Sequence, residues 1–521
     1  MKDRTKARSA IRAVSGILLC IIGFVLARAT PFREATVIVD ADGCRLVTDI
    51  IDLGSDAAQG SVVLLHGLAA NRTIMTYLGR GFALLNLRVF LPDMPGHGRT
   101  PGPFSFARAE TCTNSFVRQL IVRGAIDPTS TILAGHSMGG ALAVRIAAGV
   151  PVAGVVAISP APMVATHGVA ASLLIFGDPP PTPANSLVLS GSWEPRSVRD
   201  TARELISGNP ATSGKYLVIP HSTHVSLLFD PDVVHAAQSW SAKVLKLEAN
   251  APGVPSRLPL AGSLAGLAGI LLLAGPFLRE TLGLTPLRTA VEPKGNRSPT
   301  KEEPQSPVLA PMTGRVLVEI AAASVAIVVL LRFWNPFGVF QVFEGDYLAG
   351  FLLLLGIALL FLHRNVLGSL WPAKTGPLLA AAFAAIVLPV LLYSWLNLTI
   401  SEAWLTTARW LRMPALCVAV LPYHAAEELL LGPHRARSAK TRLMLGLAFR
   451  LIAWCALLIG ILVLHNGEIL LVLLAPYLAV FCLLQRTGMD VVRKGTSSPL
   501  AAALFGAILL AGFCVIVFPI T

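Results

Sequence analysis

Leu133-Ala134-Gly135-His136-Ser137-Met138-Gly139-Gly140 places a serine in the pattern G-x-S-x-G. An apolar run, Thr131 to Ala134, leads into it, and an alanine-rich stretch, Ala141 to Ala148, follows. Strand, tight turn and helix in that order lift a serine hydroxyl clear of a sheet, and the glycines leave room where side chains would collide. Ser137 is therefore the candidate nucleophile, with Gly135 and Gly139 as the glycines of the turn. A serine hydroxyl attacks poorly alone. It needs a base to take its proton and an acid to orient that base, so the chain must supply a histidine and a carboxylate.

Upstream, Val62-Val63-Leu64-Leu65-His66-Gly67-Leu68 reads as a buried strand ending in His-Gly. Val89-Phe90-Leu91-Pro92-Asp93-Met94-Pro95-Gly96-His97-Gly98-Arg99 reads as another, ending in Pro-Gly-His-Gly. With these segments, residues 35–248 resemble the α/β-hydrolase family, and GHSMGG is most similar to its esterase and monoacylglycerol-lipase-type members. The resemblance implies a mostly parallel sheet with helices on both faces. It also implies an oxyanion hole made by the backbone N–H groups of Leu68 and Met138, fixed donors aimed at charge that develops in the tetrahedral transition state. His66 and His97 are implied to brace the loops around the pocket rather than to transfer protons.

The family's chain order of serine, acid, histidine directs attention downstream. Ser186-Leu187-Val188-Leu189-Ser190-Gly191 reads as a strand, and Glu194 follows its Gly191 closely. Glu194 is the preferred acid, although most relatives carry Asp there; Asp178, in Phe176-Gly177-Asp178-Pro179, is the alternative. For the base, Lys215 to Ile219 reads as a last strand. Asp230-Pro231-Asp232 reads as a helix start, with Asp as cap and Pro at the first helical position. Between them lie His221 and His224. The resemblance implies a histidine a few residues past the strand and directly before an apolar stretch, which makes His224 the preferred base. Only a short segment separates Ile158 from Asn185, which predicts a small lid or none over Ser137.

The composition divides the chain. Hydrophobic residues make up 54% of the 521 and charged residues only 14%, where a soluble domain carries roughly a quarter charged residues. Mean hydropathy is +0.67. A wholly soluble enzyme, a disordered chain and a collagen-like repeat are excluded. Net charge is +13, which suits either nucleic acid or a membrane protein with basic cytoplasmic loops. Of seven cysteines, Cys20, Cys417, Cys455, Cys482 and Cys514 lie in apolar runs. Cys44 and Cys112 remain, and spacing alone leaves open whether they pair. No CxxC and no Cys/His cluster at zinc spacing occurs.

Residues 1–32 pair a cationic start with an apolar run, as in a signal anchor or a cleavable signal peptide. Ala27-Arg28-Ala29 fits a cleavage site only loosely, so an uncleaved anchor is preferred. Residues 33–248 have a βαβ texture, and 249–257 read as a linker. Residues 258–521 form an all-α transmembrane domain of about eight apolar stretches, each long enough to cross a hydrocarbon core of about 30 Å. These lie near 258–278, 315–333, 347–363, 377–397, 413–432, 443–465, 468–485 and 499–519. Alternating from a cytoplasmic N-terminus gathers the lysines and arginines of 1–12, 279–315, 364–374, 435–442 and 486–494 on one side. Only Arg332, Arg409 and Arg412 fall in the short loops opposite. The basic balance therefore follows the positive-inside rule, excludes nucleic acid as the partner, and puts 33–248 outside the cytoplasm, at the plasma or inner membrane.

In the span 413–432, His424, Glu427 and Glu428 share a helix face, and intramembrane ionisable residues are functional candidates by default. The Glu-Glu pair resembles CAAX-type intramembrane proteases, but the arginine and histidine helices of that family have no match, so a polar contact between helices is preferred. The expected activity is a membrane-bound serine hydrolase acting on a small ester or acylated substrate, with no metal or organic cofactor and the lipid bilayer as partner. The alternatives are a transporter or scaffold with a binding-only domain, and a peptidase or thioesterase on the same triad. Oligomeric state has no signature in the sequence.

Overall fold

The computed structural model describes residues 2–28, 30–54, 58–163, 176, 180–207, 214–247, 253–283, 309–371, 374–400, 402–431, 439–464 and 467–521. The segments 164–175 and 177–179 therefore lie outside the described residues. With them fall the expected small lid and Asp178.

Runs of aliphatic residues build the sheet. Its strands are β1 (Arg33–Ala41), β2 (Cys44–Asp52), β3 (Gly60–Leu65), β4 (Leu87–Pro92), β5 (Thr131–His136), β6 (Gly154–Ile158), β7 (Ser186–Gly191) and β8 (Lys215–Ile219). Their spatial order is β1-β2-β4-β3-β5-β6-β7-β8. The β1–β2 and β2–β4 pairings are antiparallel, and every pairing from β4 to β8 is parallel. Every residue of β3, β5, β6 and β7 is buried, as parallel strands covered on both faces require. Between the strands run α2 (Thr76–Ala83), α3 (Phe106–Val122), α4 (Met138–Gly149), α5 (Arg196–Ser207) and α6 (Pro231–Leu245).

Val62, Leu64, Ile132, Ala134, Leu187 and Leu189 pack with Phe82 of α2 and Val233 and Val234 of α6 in one core. Each large aliphatic side chain buried there contributes about 1.5–3 kcal/mol. Strand alternation turns Val63, Leu65 and Leu133 to the opposite face. The start of α6 follows its sequence: the Asp230 side chain accepts from the Asp232 N–H, with Pro231 in the first turn. Cys44, at the start of β2, and Cys112, in α3, form a disulfide with their Cα atoms 5.6 Å apart. Their spacing alone had left that pairing open.

The compact unit holding the sheet is larger than residues 33–248. It comprises Gly23–Leu264 together with two distant segments, Tyr393–Thr406 and Ile516–Thr521.

The second unit comprises Met1–Ile22, Ala265–Leu392 and Thr407–Val515. Its helices belong to α1 (Lys2–Arg28), α7 (Leu258–Thr281), α8 (Leu309–Phe333), α9 (Gly345–Leu362), α10 (Thr375–Thr399), α11 (Thr407–Leu430), α12 (Ala439–Leu464), α13 (Ile469–Leu473), α14 (Ala475–Thr496) and α15 (Pro499–Val517). Among the described residues seven helices are long and apolar enough to cross a membrane: Ser9–Arg28, Leu258–Thr281, Gly314–Phe333, Gly345–Leu362, Thr375–Leu398, Thr441–Leu464 and Pro499–Val517. The N-terminal helix meets α7 backbone to backbone, since a Cβ on Gly269 would stand 2.6 Å from the Gly16 carbonyl oxygen.

Two expected spans differ from the sequence reading. The stretch 468–485 is interrupted, because Pro476 stands in the first turn of α14 and so begins a new helix after the short α13. Both α11 and α14 carry more charge than a plain apolar span, and Glu427 and Glu428 of α11 face Arg486 of α14. Glu427 takes a two-pronged ion pair from Arg450 of α12, at 2.8 and 2.9 Å. Arg486 bridges Glu428 and Asp490, each at 2.6 Å, and Gln485 reaches His424 at 3.3 Å. Arg486 was read as a cytoplasmic loop cation; it is wholly buried. Arg409 was read as a loop cation on the other side, and it is buried too, bonding the Val515 carbonyl. The His424 face is thus a polar contact between helices.

Candidate active site

The turn between β5 and α4 sets Ser137 at φ 55° and ψ −119°, a conformation that non-glycine residues hold only when their surroundings impose it. Close backbone approach imposes it here. A Cβ on Gly135 would stand 2.2 Å from the Gly139 carbonyl oxygen, and a Cβ on Gly139 would stand 2.3 Å from that of Leu65. Neither position admits a side chain.

Gly67 lies against the same turn. A Cβ there would stand 3.1 Å from the Ser137 Cβ, so the loop after β3 runs beside the serine and brings the Leu68 backbone with it. Met138 is the first residue of α4, and first-turn N–H groups have no acceptor within their own helix. The two chain segments that carry the expected oxyanion donors thus meet at Ser137.

His66 and His97 hold these loops. The His66 Nε2 accepts from the Met94 N–H at 2.9 Å, and its Nδ1–H donates to the Gly67 carbonyl at 2.8 Å. The His97 Nε2 accepts from the Ala69 N–H at 3.3 Å while its Nδ1–H donates to Pro95. Burial lowers the His66 pKa, which keeps the ring neutral and fit to accept. Both rings serve the backbone.

Glu194 and His224 come together from the loops after β7 and β8. The His224 Nδ1 stands 2.8 Å from Glu194 Oε1, and the Gly191 N–H donates to Oε2 at 2.6 Å. Burial alone would raise the Glu194 pKa. The bond and charge of His224, with the bonds from Ser159 and Gly191, outweigh it and hold the carboxyl below its ordinary range. With Nδ1 committed to the carboxylate, Nε2 is the ring atom left for a proton from elsewhere. The His224 side chain is 30% exposed and that of Glu194 1% exposed.

The Ser137 turn and the His224 loop also touch directly. His136, the residue before Ser137, donates from Nε2 to the His224 carbonyl at 2.8 Å, with the two rings 4.6 Å apart. Burial, then the charge of His224, lowers the His136 pKa to about 3. The other loop histidine, His221, turns away: its N–H donates to the Ser192 hydroxyl and its ring lies beside Trp193.

One residue of this cluster escaped sequence reading. Ser159, just past β6 at φ 44°, bonds Glu194 Oε1 through Oγ and stands 2.8 Å from the His224 Nδ1. Its only sequence signal is its place at the end of an apolar strand next to the elbow strand.

Residues 62–244 match the family model described as "Alpha/beta hydrolase family". This part of the chain is an α/β-hydrolase domain. Among solved structures, an esterase from Pyrobaculum calidifontis is 15% identical with a TM-score of 0.36, the match covering 46% of this chain and 93% of that one. A dienelactone hydrolase from Anabaena variabilis is 18% identical with a TM-score of 0.33, over 40% of this chain and 97% of that one. A thermophilic esterase from Thermogutta terrifontis is 18% identical with a TM-score of 0.32, over 41% and 99%. No curated protein matches the chain in sequence. The α/β-hydrolase domain is joined in one chain to a helical region with several apolar helices.

Proposed function

We propose that this α/β-hydrolase is a membrane-bound serine esterase working through an acyl-enzyme. The observation that carries the reading is the Glu194–His224 pair at 2.8 Å, bonded through His136 to the turn that holds Ser137 in its strained conformation. The Ser137 hydroxyl attacks the ester carbonyl carbon as its proton passes to the His224 Nε2. The oxyanion that forms is met by the N–H groups of Leu68 and Met138, a contribution of several kcal/mol when such donors are fixed in advance. Ionised Glu194 stabilises the imidazolium and fixes its tautomer. The imidazolium then gives its proton to the departing alcohol. Water, activated by His224, cleaves the acyl-enzyme, and the released carboxylic acid leaves Ser137 free. No step calls for a metal or an organic cofactor.

The seven apolar helices support a multi-pass membrane protein, and the distribution of cations supports an extracytoplasmic hydrolase domain at the plasma or inner membrane. The Cys44–Cys112 pair supports the same side, since disulfides persist in oxidising compartments. A substrate presented at the bilayer, such as a lipid or another acylated molecule, suits that location.

The test uses detergent-purified full chain, a fluorophosphonate probe and p-nitrophenyl esters of graded acyl length. Wild type should label and turn over, and Ser137→Ala and His224→Ala should do neither. A folded wild type that neither labels nor turns over any ester would overturn the reading.

A further inference from the structure

The loop carrying Leu68 is held at its far end by residues from the other end of the chain. It ends at Asn71 and Arg72, where a short 3-10 turn, Arg72–Met75, begins. Against it lies Glu402, in the segment Tyr393–Thr406 that belongs to the hydrolase-bearing unit although it joins α10 to α11. The Asn71 amide grips the Glu402 backbone from both sides. Its Nδ2 donates to the Glu402 carbonyl at 2.9 Å, and its Oδ1 accepts the Glu402 N–H at 3.2 Å. The Thr73 hydroxyl accepts the same N–H at 2.7 Å.

The Glu402 side chain, 3% exposed, ion-pairs with both Arg72 and Arg99. Those two arginines belong to two adjoining loops, of which the first runs beside Ser137. Arg72 follows the Leu68 loop, and Arg99 follows the Pro-Gly-His-Gly turn whose His97 accepts from Ala69. Asp93 binds the backbone N–H of each, at 2.8 Å for Arg72 and 3.0 Å for Arg99. Glu402 joins their side chains, so it closes a ring in which neither loop can shift without breaking an ion pair to the buried Glu402 carboxylate. A second remote segment acts on the turn. Ile520 accepts from the Phe104 N–H at 2.6 Å and donates to the Gly96 carbonyl at 3.1 Å. The alternation of spans read from the cations puts 398–412 and the C-terminus on the same side as residues 33–248, as these bonds require.

We propose that Glu402 is a positioning residue for the esterase: by clamping Arg72 and Arg99 it fixes the loop whose Leu68 N–H receives the oxyanion. The hydrolase domain then depends for its transition-state geometry on the segment that joins α10 to α11. This rests on the reading of Ser137 and Leu68 given above. Donor displacement costs transition-state binding far more than ground-state binding, so the signature is a loss in kcat with KM preserved.

The test compares wild type, Glu402→Ala and Glu402→Gln as full chains in detergent. Glu402→Gln keeps the backbone bonds and the side-chain volume, and it carries the test if the alanine variant does not fold. The expected result is a fall of about tenfold in both kcat and the rate of fluorophosphonate labelling, with KM changed by less than about twofold. Glu402→Asp, which keeps the charge, should recover more of the rate than Glu402→Gln. Wild-type kcat in a variant with a lowered melting temperature would overturn the proposal, since Glu402 would then be a stability contact alone. Absence of Ser137-dependent labelling in wild type would overturn the esterase reading itself, a failure seen before any Glu402 variant is measured.

Discussion

The Ser159 hydroxyl bonds the same Glu194 oxygen, Oε1, that faces the His224 Nδ1. The carboxylate proposed as the acid is thus held from three sides, by Ser159, by His224 and by the Gly191 N–H on its other oxygen. Ser159 is the only one of these with no counterpart in a sequence motif.

Removing that hydroxyl tests its role. Ser159→Ala takes one donor from a buried carboxylate, and hydrogen bonds to charged groups contribute about 1.5–3 kcal/mol. Part of that loss should appear in the transition state, lowering kcat by about fivefold to tenfold. With a donor gone, the Glu194 pKa rises, so the acid limb of the kcat profile should move to higher pH. An unchanged acid limb with full kcat would make Ser159 a bystander.

Glu194 itself can be separated from its rival by substitution. Glu194→Gln keeps the shape but removes the charge that stabilises the imidazolium, and kcat should fall by about a thousandfold or more. Glu194→Asp retracts the carboxylate by one methylene from a contact now at 2.8 Å and should fall between the two. Asp178→Asn should retain kcat to within about twofold. Steady-state rates on one p-nitrophenyl ester suffice, and the reverse pattern would transfer the role to Asp178.

What the sequence made legible was what local physics determines. Gly135, Ser137 and Gly139 act within one turn, and the Asp230-Pro231 cap needs only its neighbours, so both could be placed from composition and order. The preference for His224 over His221 and for Glu194 after β7 rests on the resemblance to the family, and the structure pairs those two side chains. Ser159 could not be placed, because its role depends on the register of β6 beside β7, which pairs Ile158 with Leu189. Glu402 was still further from view: its partner Asn71 is 331 residues away, and a lone glutamate between two apolar runs reads as a loop charge. Arg486 misled for a related reason. Counted by position it is an interfacial cation, yet its guanidinium is buried against Glu428 and Asp490. Charge-counting cannot separate a solvated arginine from a paired one.

Acid should weaken the domain in a defined direction. Buried His136 has its pKa lowered to about 3, while an unfolded histidine titrates near about 6.5. Between these values the unfolded chain binds a proton that the folded chain refuses, so stability falls as pH drops from about 6.5 toward 3. Glu194 adds to this with the same sign. Its folded pKa lies below the ordinary value, so its contribution is full above the unfolded pKa and is lost as pH falls through the folded one. Melting temperatures from pH 7 to 4 should therefore fall more steeply for wild type than for His136→Gln. Equal slopes would show that His136 titrates alike in both states.

The Cys44–Cys112 bond offers a test of stability independent of catalysis. It closes a loop of 68 residues between β2 and α3, and in the chain-entropy account a loop of that size contributes about 4 kcal/mol by restricting the unfolded chain. The bond joins β2 to α3, and the strands whose ends carry the site, β3 and β5 to β8, are not among the elements it joins. Its loss should therefore act on folding before it acts on chemistry. Cys44→Ser with Cys112→Ser, or reduction of the wild type, should lower the melting temperature clearly. At temperatures well below the new midpoint, the rate of Ser137 labelling should stay close to that of the oxidised protein. A reduced chain that melts like the oxidised one would mean that the bond does not form in the mature protein. Labelling lost while the fold persists would mean that the β2–α3 junction reaches the site by a route other than stability.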